Sequence, residues 1–169
     1  LVVGNEAKHQ IVNWLPQLKE SQEYPKVVHN KIQRLPFSLP LPLTEEGKEE
    51  RLQGLTRGQL KVQDGCDFMC SFCVIPFARG RSRHREFDNL CAEAEQQVAS
   101  GIQEIVLTGV NLGTYDICGR HLVDIVDFLD SLKDLQRIRI SSIEPTTVDP
   151  GLLERMGDQS HKLVPFLHL

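Results

Sequence analysis

The sequence contains no run of about 18 apolar residues, so none of its segments is long enough and apolar enough to cross a membrane. The opening stretch "LVVGNEAKHQ" lacks the basic leader and the long apolar core of a secretory signal peptide. The five cysteines are an odd number at uneven spacings, whereas a secreted disulfide framework usually has an even number. We therefore expect a cytoplasmic protein with no membrane partner.

Positive charge is not in excess either, since the formal net charge is −4. The whole chain thus lacks the basic character of many nucleic-acid-binding proteins, and any such surface has to be local. One segment meets that requirement, because residues 74–85 include four arginines and a histidine but no acidic residue. Aromatic residues make up only 6% of the chain, so few rings are available to stack on bases.

Composition divides the chain into three regions. Residues 1–35 include "NEAKHQIVNWLPQLKES", whose apolar residues repeat at helical spacing. Residues 36–56 begin with three closely spaced prolines and continue with a charged run, a composition typical of an extended linker. Residues 57–169 alternate predicted strands with predicted helices. We predict a short helical segment, a proline-rich linker and one α/β domain.

The α/β domain is expected to contain a parallel sheet of about four strands. The predicted strands are "QLKVQDG", "EIVLTG", "QRIRISSIE" and "KLVPFLHL", and the helices between them are "DNLCAEAEQQVAS", "HLVDIVDFLDSL" and "DPGLLERM". Strands that alternate with helices form parallel sheets with right-handed crossovers. Ligands bind such sheets beyond the carboxyl ends of the strands. The cysteine-rich loop, "TGVNLGTY" and "SSIEPTT" are predicted to converge at that edge.

Three cysteines on one predicted loop are candidate metal ligands: Cys66, Cys70 and Cys73. Three thiolates can hold three irons of a [4Fe–4S] cube and leave the fourth iron open to another molecule. Zinc is an alternative, with His84 or Cys91 as its fourth ligand, and a redox-active pair in "CSFC" is another. Cys118 and Cys91 are interpreted as incidental or packed thiols.

Four arginines follow the cysteines and are candidate RNA ligands: Arg79, Arg81, Arg83 and Arg85. They alternate with other residues, so an extended segment would place them on one face. The guanidinium group suits the geometry of phosphate. A solvated loop, or an anchor for nearby carboxylates, is the alternative interpretation.

Several segments together resemble the methylthiotransferase family of radical S-adenosylmethionine (SAM) enzymes: "GCDFMCSFCVIPFARGRSRHR", "EIVLTGVNLGTY", "RIRISSIEP" and "FLHL". The resemblance is strongest to enzymes that add a methylthio group to C2 of N6-threonylcarbamoyladenosine at position 37 of tRNA. It implies that residues 57–169 are the first part of a radical-SAM parallel (β/α) barrel. It also implies that residues 1–35, with "VVGNEAK", are the remnant of the family's N-terminal domain.

The resemblance also implies cofactors and partners. Cys66, Cys70 and Cys73 would hold a [4Fe–4S] cluster, and one electron from it would cleave SAM to a 5′-deoxyadenosyl radical. A second [4Fe–4S] cluster belongs to the family's N-terminal domain, whose three cysteines this chain lacks. The substrate would be a tRNA anticodon loop and the electron donor a flavodoxin or ferredoxin. Because the family's other parts are missing, we expect the chain alone to be inactive.

Six residues are carried over as SAM ligands. Phe72 would lie near the adenine. Thr108, Gly109 and Asn111 stand where the family's second-strand segment meets the amino end of SAM, although "TGV" replaces the Gly-Gly-Glu type motif of many relatives. Ser142 and Glu144 would meet the SAM carboxylate or ribose, with ordinary capping of the strand end as the alternative.

Two other functions stay open. A methylthiotransferase could act on isopentenyladenosine in tRNA or on an aspartate of a ribosomal protein. A protein of another class, a non-catalytic iron–sulfur or zinc binding module, would use the same cysteines without turning over SAM.

Overall fold

The computed structural model describes residues 34–39 and 55–169, together with two short strands, β1 (Val2–Val3) and β2 (Val27–Val28). These two strands pair in parallel. The predicted N-terminal helix and most of the predicted linker lie outside the described residues.

The domain is built on a parallel sheet of three strands, β3 (Arg57–Lys61), β6 (Glu104–Thr108) and β9 (Arg137–Ile140), in the order β3-β6-β9. Neighbouring parallel strands need a long crossover connection. Helix α2 (Phe87–Ala99) provides it between β3 and β6, and helix α3 (Leu122–Ser131) between β6 and β9. The predicted α/β fold with a parallel sheet is confirmed.

Each crossover helix buries one apolar stripe against the core. In α2 the buried residues include Leu90 and Ala94, four positions apart, and in α3 they are Leu122, Ile125, Val126 and Leu129. These spacings place the side chains on a single helical face. A fourth helix, α4 (Pro150–Gly157), follows β9 and begins where Asp149 accepts a hydrogen bond from the Gly151 amide at 2.6 Å.

The fourth predicted strand, "KLVPFLHL", is only partly formed. It pairs with the β9 side of the sheet through two isolated parallel bridges, Ile138 to Leu163 and Ser142 to His168. Pro165 lies between the bridges and has no amide hydrogen to donate, so a continuous ladder is interrupted there. The described sheet therefore has three regular strands instead of about four.

Two small antiparallel pairs and one helix were not predicted. Strand β4 (Gln63–Asp64) pairs with β5 (Arg83–His84), and β7 (Asp116–Ile117) pairs with β8 (Arg120–His121). The short helix α1 (Ile75–Arg79) lies between β4 and β5. The β7–β8 turn holds Cys118 and Gly119 at positive φ (52° and 78°), as a two-residue type I′ turn requires.

Residues 34–39 are attached to the domain. Phe37 bridges to Arg85, with the Phe37 amide donating to the His84 carbonyl at 3.0 Å and the Glu86 amide donating to the Phe37 carbonyl at 2.9 Å. The start of the predicted linker is thus bound beside β5. Within the described part of the chain, no helix is long and apolar enough to span a membrane.

Candidate functional site

Three loops meet at the carboxyl edge of the sheet: the cysteine loop (65–74) after β4, the second loop (109–114) after β6 and the third loop (141–147) after β9. Asn111 joins the last two, since its Oδ1 accepts from the Glu144 amide at 3.2 Å and from the Thr147 hydroxyl at 2.9 Å. The Leu112 amide adds a hydrogen bond to the Ser142 carbonyl at 3.1 Å. These contacts join the second and third loops, and the buried Gln63 side chain joins the cysteine loop to the second.

The cysteine loop begins at a glycine that no other residue can replace without strain. Gly65 has φ +76°, and a Cβ atom there would lie 2.2 Å from the Arg81 carbonyl oxygen. This close approach lets the Cys66 amide donate to the Gly80 carbonyl at 3.1 Å. The loop is thereby fixed to the residues that follow α1.

The three candidate cysteine ligands differ in exposure but share one loop. Cys66 is buried, Cys73 is half-buried and Cys70 is exposed, and all three thiols are free. The Phe68 amide donates to the Cys66 sulfur at 3.4 Å. Hydrogen bonds of this kind stabilise thiolate and tune iron–sulfur clusters.

These residues fit a three-cysteine cluster by their chemistry, because three free thiols on one loop are the soft donors that iron–sulfur clusters use. Among the described residues, no three His, Cys, Asp or Glu side chains are already gathered as a metal site. The assignment of ligands therefore rests on the loop and its donor types, and it stays a prediction.

The two residues considered as a fourth zinc ligand, His84 and Cys91, lie in environments that do not favour metal binding. His84 Nε2 lies 2.9 Å from the Ser82 hydroxyl, and its Nδ1 lies 2.9 Å from the Asp116 carbonyl, so both ring nitrogens have partners. Cys91 lies within α2, where burial, with help from Asp88 and Glu95, raises the pKa of its thiol to about 11. Both observations disfavour these two side chains as a fourth ligand. Cys118 lies exposed in the β7–β8 turn.

Residues carried over from the second-strand segment are engaged with the protein. The Thr108 hydroxyl donates to the Leu60 carbonyl at 3.3 Å. Gly109 packs so closely that a Cβ atom would lie 2.7 Å from Leu112 and 3.1 Å from Gln63 Oε1. Asn111 is buried, and within the described residues its Nδ2 has no hydrogen-bond partner. Asn111 is thus the one member of this group with unused bonding capacity.

The other carried-over residues have little side-chain contact. Glu144 is exposed, and Ser142 contributes its backbone, which pairs with His168. Phe72 is 90% exposed on the cysteine loop, beside the exposed Val74 and Phe77. The structure places all three at the carboxyl edge of the sheet.

Arg85 does not lie at the surface with the rest of the arginine segment. It is completely buried, and its guanidinium donates to the Glu93 carboxylate and, at 2.6 Å, to Asn89 Oδ1. The expectation that it shares an exposed face with the other arginines is wrong, because its side chain packs against α2. Arg85 is not available to RNA phosphates.

Arg79 and Arg83 both point toward one carboxylate. Asp64 lies 3.3 Å from Arg79, 3.4 Å from Arg83 and 2.8 Å from Lys61. Only 13% of the Arg83 side chain is exposed, whereas 49% of Arg79 is. Arg83 therefore acts mainly as an anchor for a carboxylate, the alternative that the sequence left open.

Arg81 is the second arginine with a substantial exposed surface. It donates to the Asp67 carbonyl at 3.0 Å, and 44% of its side chain is accessible. Arg34 also reaches Asp67, at 2.7 Å. Five cationic side chains thus share the two carboxylates of Asp64 and Asp67, which leaves this face with excess positive charge.

Sequence reasoning missed Gln63. Its side chain is completely buried and joins the cysteine loop, the second loop and Ser82 by hydrogen bonds. The sequence carries one signal for it, a polar residue three positions before Cys66 at the end of a predicted strand.

The sequence model of the Radical SAM superfamily matches residues 60–166, which include all three loops. The chain belongs to the radical SAM superfamily. Within this superfamily, it is similar to threonylcarbamoyladenosine tRNA methylthiotransferase MtaB of Bacillus subtilis (strain 168), with 33% identity over 172 residues. That match covers 100% of this chain and 36% of the relative.

Of two further relatives, one has the same name as the Bacillus subtilis protein and the other has a different name. The Chlamydia pneumoniae threonylcarbamoyladenosine tRNA methylthiotransferase MtaB is 37% identical over 73% of this chain and 29% of its own length. The tRNA-2-methylthio-N(6)-dimethylallyladenosine synthase of Cereibacter sphaeroides (strain ATCC 17025 / ATH 2.4.3) is 33% identical over 100% of this chain and 36% of its own length. The chain spans about a third of the length of these relatives, and the predicted resemblance to methylthiotransferases is confirmed.

Proposed function

We propose that this chain forms the cluster- and SAM-binding part of a tRNA methylthiotransferase that modifies C2 of N6-threonylcarbamoyladenosine at position 37. The observation that carries the proposal is the placement of three free thiols on a loop at the carboxyl edge of a parallel sheet. The loops that follow the neighbouring strands lie beside them. Ligands bind such sheets at this edge, and a relative with this named activity aligns along the whole chain.

Cys66, Cys70 and Cys73 would hold a [4Fe–4S] cluster through three thiolates. When bound, the cluster and SAM would supply the radical chemistry that activates the substrate carbon. The protein's own part is to hold the loop through Gly65 and the Cys66 amide. The second loop, which Asn111 joins to the third loop, would meet the amino end of SAM.

The RNA surface is proposed to lie on the exposed part of the arginine segment. Arg79 and Arg81 keep about half of their side chains accessible, and Phe77, 74% exposed, offers a ring to an unstacked base. Arg83 and Arg85 would stabilise this surface through their ion pairs with Asp64 and Glu93. The anticodon loop is the proposed RNA target.

Other parts of the reaction lie with the rest of the protein or with partners. A second [4Fe–4S] cluster is proposed for the N-terminal domain of the family. The proposal assigns residues 1–35 to the end of that domain and residues 36–56 to a linker, which the alignment of the Bacillus subtilis relative along the whole chain supports. A flavodoxin or ferredoxin would supply electrons in the cytoplasm.

The first test asks for the metal and the cofactor. Reconstituted without oxygen, the chain should hold about four irons and bind SAM, as a three-cysteine cluster with one open iron allows. Cys70→Ala should lose the iron, while Cys118→Ala, a matched exposed cysteine, should keep it. Stoichiometric zinc without iron, or iron without SAM binding, would favour the non-catalytic binding module.

A second candidate substrate is dimethylallyladenosine in tRNA. It is favoured by the Cereibacter sphaeroides synthase, which matches the whole chain as the Bacillus subtilis enzyme does. Expression of the full-length protein in cells lacking both modifications, followed by mass analysis of tRNA nucleosides, separates the two. The proposal requires 2-methylthio-N6-threonylcarbamoyladenosine. Detection of methylthiolated dimethylallyladenosine instead would support the second candidate substrate.

A further inference from the structure

The side-chain amide of Gln63 uses all of its hydrogen-bonding capacity inside the protein. Oε1 accepts from the amides of Val110 at 2.8 Å and Asn111 at 3.2 Å. Nε2 donates to the Gly65 carbonyl at 2.6 Å and the Ser82 hydroxyl at 2.8 Å, and the Asp64 carbonyl lies 3.3 Å from it. An amide has two acceptor sites and two donor hydrogens, so the Gln63 side chain can accept from two groups of the second loop while it donates to two other groups.

The partners of Gln63 belong to the parts of the site that must act together. Gly65 begins the cysteine loop, and Val110 and Asn111 lie in the second loop. Ser82 belongs to the arginine segment, and its hydroxyl also lies 3.3 Å from Thr114 Oγ1, at the end of the second loop. A single buried amide therefore sets the distance between the three candidate cluster ligands and the buried Asn111.

Gly109 confirms how closely Gln63 approaches the second loop. A Cβ atom on Gly109 would lie 3.1 Å from Gln63 Oε1 and 3.3 Å from Gln63 Cβ. The absence of a side chain at this position lets the second loop reach the amide. The role of Gly109 in the site is then explained by contact with Gln63, with no direct ligand contact required.

We infer that Gln63 is a positioning residue that couples the cysteine loop to the second loop, so that a SAM molecule held by the cysteine-bound iron also meets the second loop. The inference rests on the proposed function. Because the groups that would contact SAM sit on two different loops, binding them in one geometry requires a fixed spacing between the loops. Preformed spacing removes the cost of ordering the loops when SAM binds.

The test compares three variants of the chain. Gln63→Leu keeps roughly the size of the side chain and removes all of its hydrogen bonds. Gln97→Leu is the matched control, because Gln97 is also a buried glutamine that donates to a backbone carbonyl, Gln59 at 3.0 Å, but it lies in α2. Gln63→Glu keeps the acceptor and changes the donor with pH.

For each variant, we would measure iron content after anaerobic reconstitution and SAM affinity from the change that SAM causes in the electron paramagnetic resonance spectrum of the reduced cluster. Gln63→Leu should keep its iron but bind SAM roughly tenfold or more weakly, since several hydrogen bonds are lost. Gln97→Leu should lose stability but keep the SAM affinity of the native chain. Equal SAM affinity in Gln63→Leu and Gln97→Leu would overturn the inference, and so would loss of iron in Gln63→Leu alone.

Gln63→Glu gives a second readout that a general loss of packing would not produce. A buried carboxyl has a raised pKa, and its protonated form offers one donor hydrogen and a carbonyl acceptor, which is one donor hydrogen fewer than the amide. Above that pKa the carboxylate has no donor for the Gly65 carbonyl or Ser82. SAM affinity relative to the native chain should therefore fall between about pH 6 and pH 9. A flat ratio would count against the inference.

Hydrogen–deuterium exchange in the cofactor-free chain separates this inference from the proposed function. The amides of Val110 and Asn111 should exchange faster in Gln63→Leu than in Gln97→Leu, because only the first variant removes their acceptor. Unchanged exchange would overturn the coupling. Failure of the native chain to bind SAM would overturn the proposed function, while the exchange result would still decide the coupling.

Discussion

Arg85 and Glu93 form an ion pair in the interior of the domain, between the arginine segment and helix α2. The Glu93 carboxylate also accepts from Gln97 Nε2 at 2.9 Å, and Arg85 also binds Asn89, so the pair is part of a buried network. Tyr115 extends it by donating its hydroxyl to the Arg85 carbonyl at 2.8 Å. This arrangement shows that one arginine of a basic run can belong to the core.

Arg85→Met should lower the free energy of unfolding by about 3–5 kcal/mol, because Glu93 is then left buried without its partner. The measurement is denaturant unfolding of the cofactor-free chain. Arg81→Ala, which removes an exposed arginine, should change stability by no more than about 0.5 kcal/mol. The double variant Arg85→Met with Glu93→Leu should recover part of the loss. Native stability in Arg85→Met would contradict this interpretation.

The salt dependence of tRNA binding should depend on Arg79 and Arg81. Each phosphate that a cation neutralises contributes a log–log slope of about −0.7 to −0.9, so replacing either arginine by alanine should flatten the slope by up to that amount. Binding would be followed in the full-length protein over a range of salt concentrations. Arg137→Ala is the control, because Arg137 is an exposed arginine at the opposite end of the sheet, where β9 begins. An equal effect of all three would place the RNA elsewhere.

Metal binding should protect selected cysteines from alkylation. In the metal-free chain Cys70 and Cys118 should react fastest, since both are exposed. Cys91 should react slowly in either state, because its raised pKa leaves little thiolate at neutral pH. After reconstitution Cys70 should be protected and Cys118 should not, as mass spectrometry of labelled peptides would show. Protection of Cys91 by the metal would indicate that Cys91 is a metal ligand after all.

Gly65→Ala should destabilise the chain by roughly 1–3 kcal/mol and reduce its iron content. The φ of +76° is unfavourable for alanine, and the added methyl group would meet the Arg81 carbonyl. Gly157→Ala is the matched control, because nothing lies within 4 Å of a Cβ at that position in α4. That variant should be neutral or slightly more stable. If Gly65→Ala binds iron as the native chain does, the cysteine loop does not depend on this turn.

The stability of the α3–α4 contact should depend on acid pH. Hydrogen bonds from Arg155 lower the pKa of Asp127. Partial burial raises this pKa, and the positive charges of Arg155 and His161 lower it further. A lowered pKa in the folded state gives stability that is present above the unfolded value and is lost as the pH falls through the folded value. Asp127→Asn should therefore cost about 1 kcal/mol or less at pH 7, since the pair is partly exposed.

The difference in stability between Asp127→Asn and the native chain should shrink as the pH falls below about 4, where the native carboxylate becomes protonated. Urea unfolding at several pH values measures it. Asp134→Asn, at an exposed aspartate outside the helices, is the control variant. A difference that stays constant down to about pH 2 would contradict the assignment of the shift to Asp127.

The amino-acid sequence alone determined the three strands of the parallel sheet, the crossover helices between them and their order. Apolar periodicity at 3.6 residues located α2 and α3, and short apolar runs between glycines and polar turns located β3, β6 and β9. Parallel pairing followed from that alternation, because crossover helices permit no other simple arrangement. The spacing of Cys66, Cys70 and Cys73 likewise needed no fold to indicate soft-metal chemistry.

Tertiary structure decided which polar residues face the site and which belong to the core. Arg81, Arg83 and Arg85 are evenly spaced in the sequence. Whether each one is exposed or buried depends on the residues that surround it in the folded domain. Gln63 shows the same limit, since a hydrogen bond to Asn111 across 48 positions has no local signal. Periodicity reports which side of an element is apolar, whereas the partner of a buried polar group is set by contacts between elements that are distant in the chain.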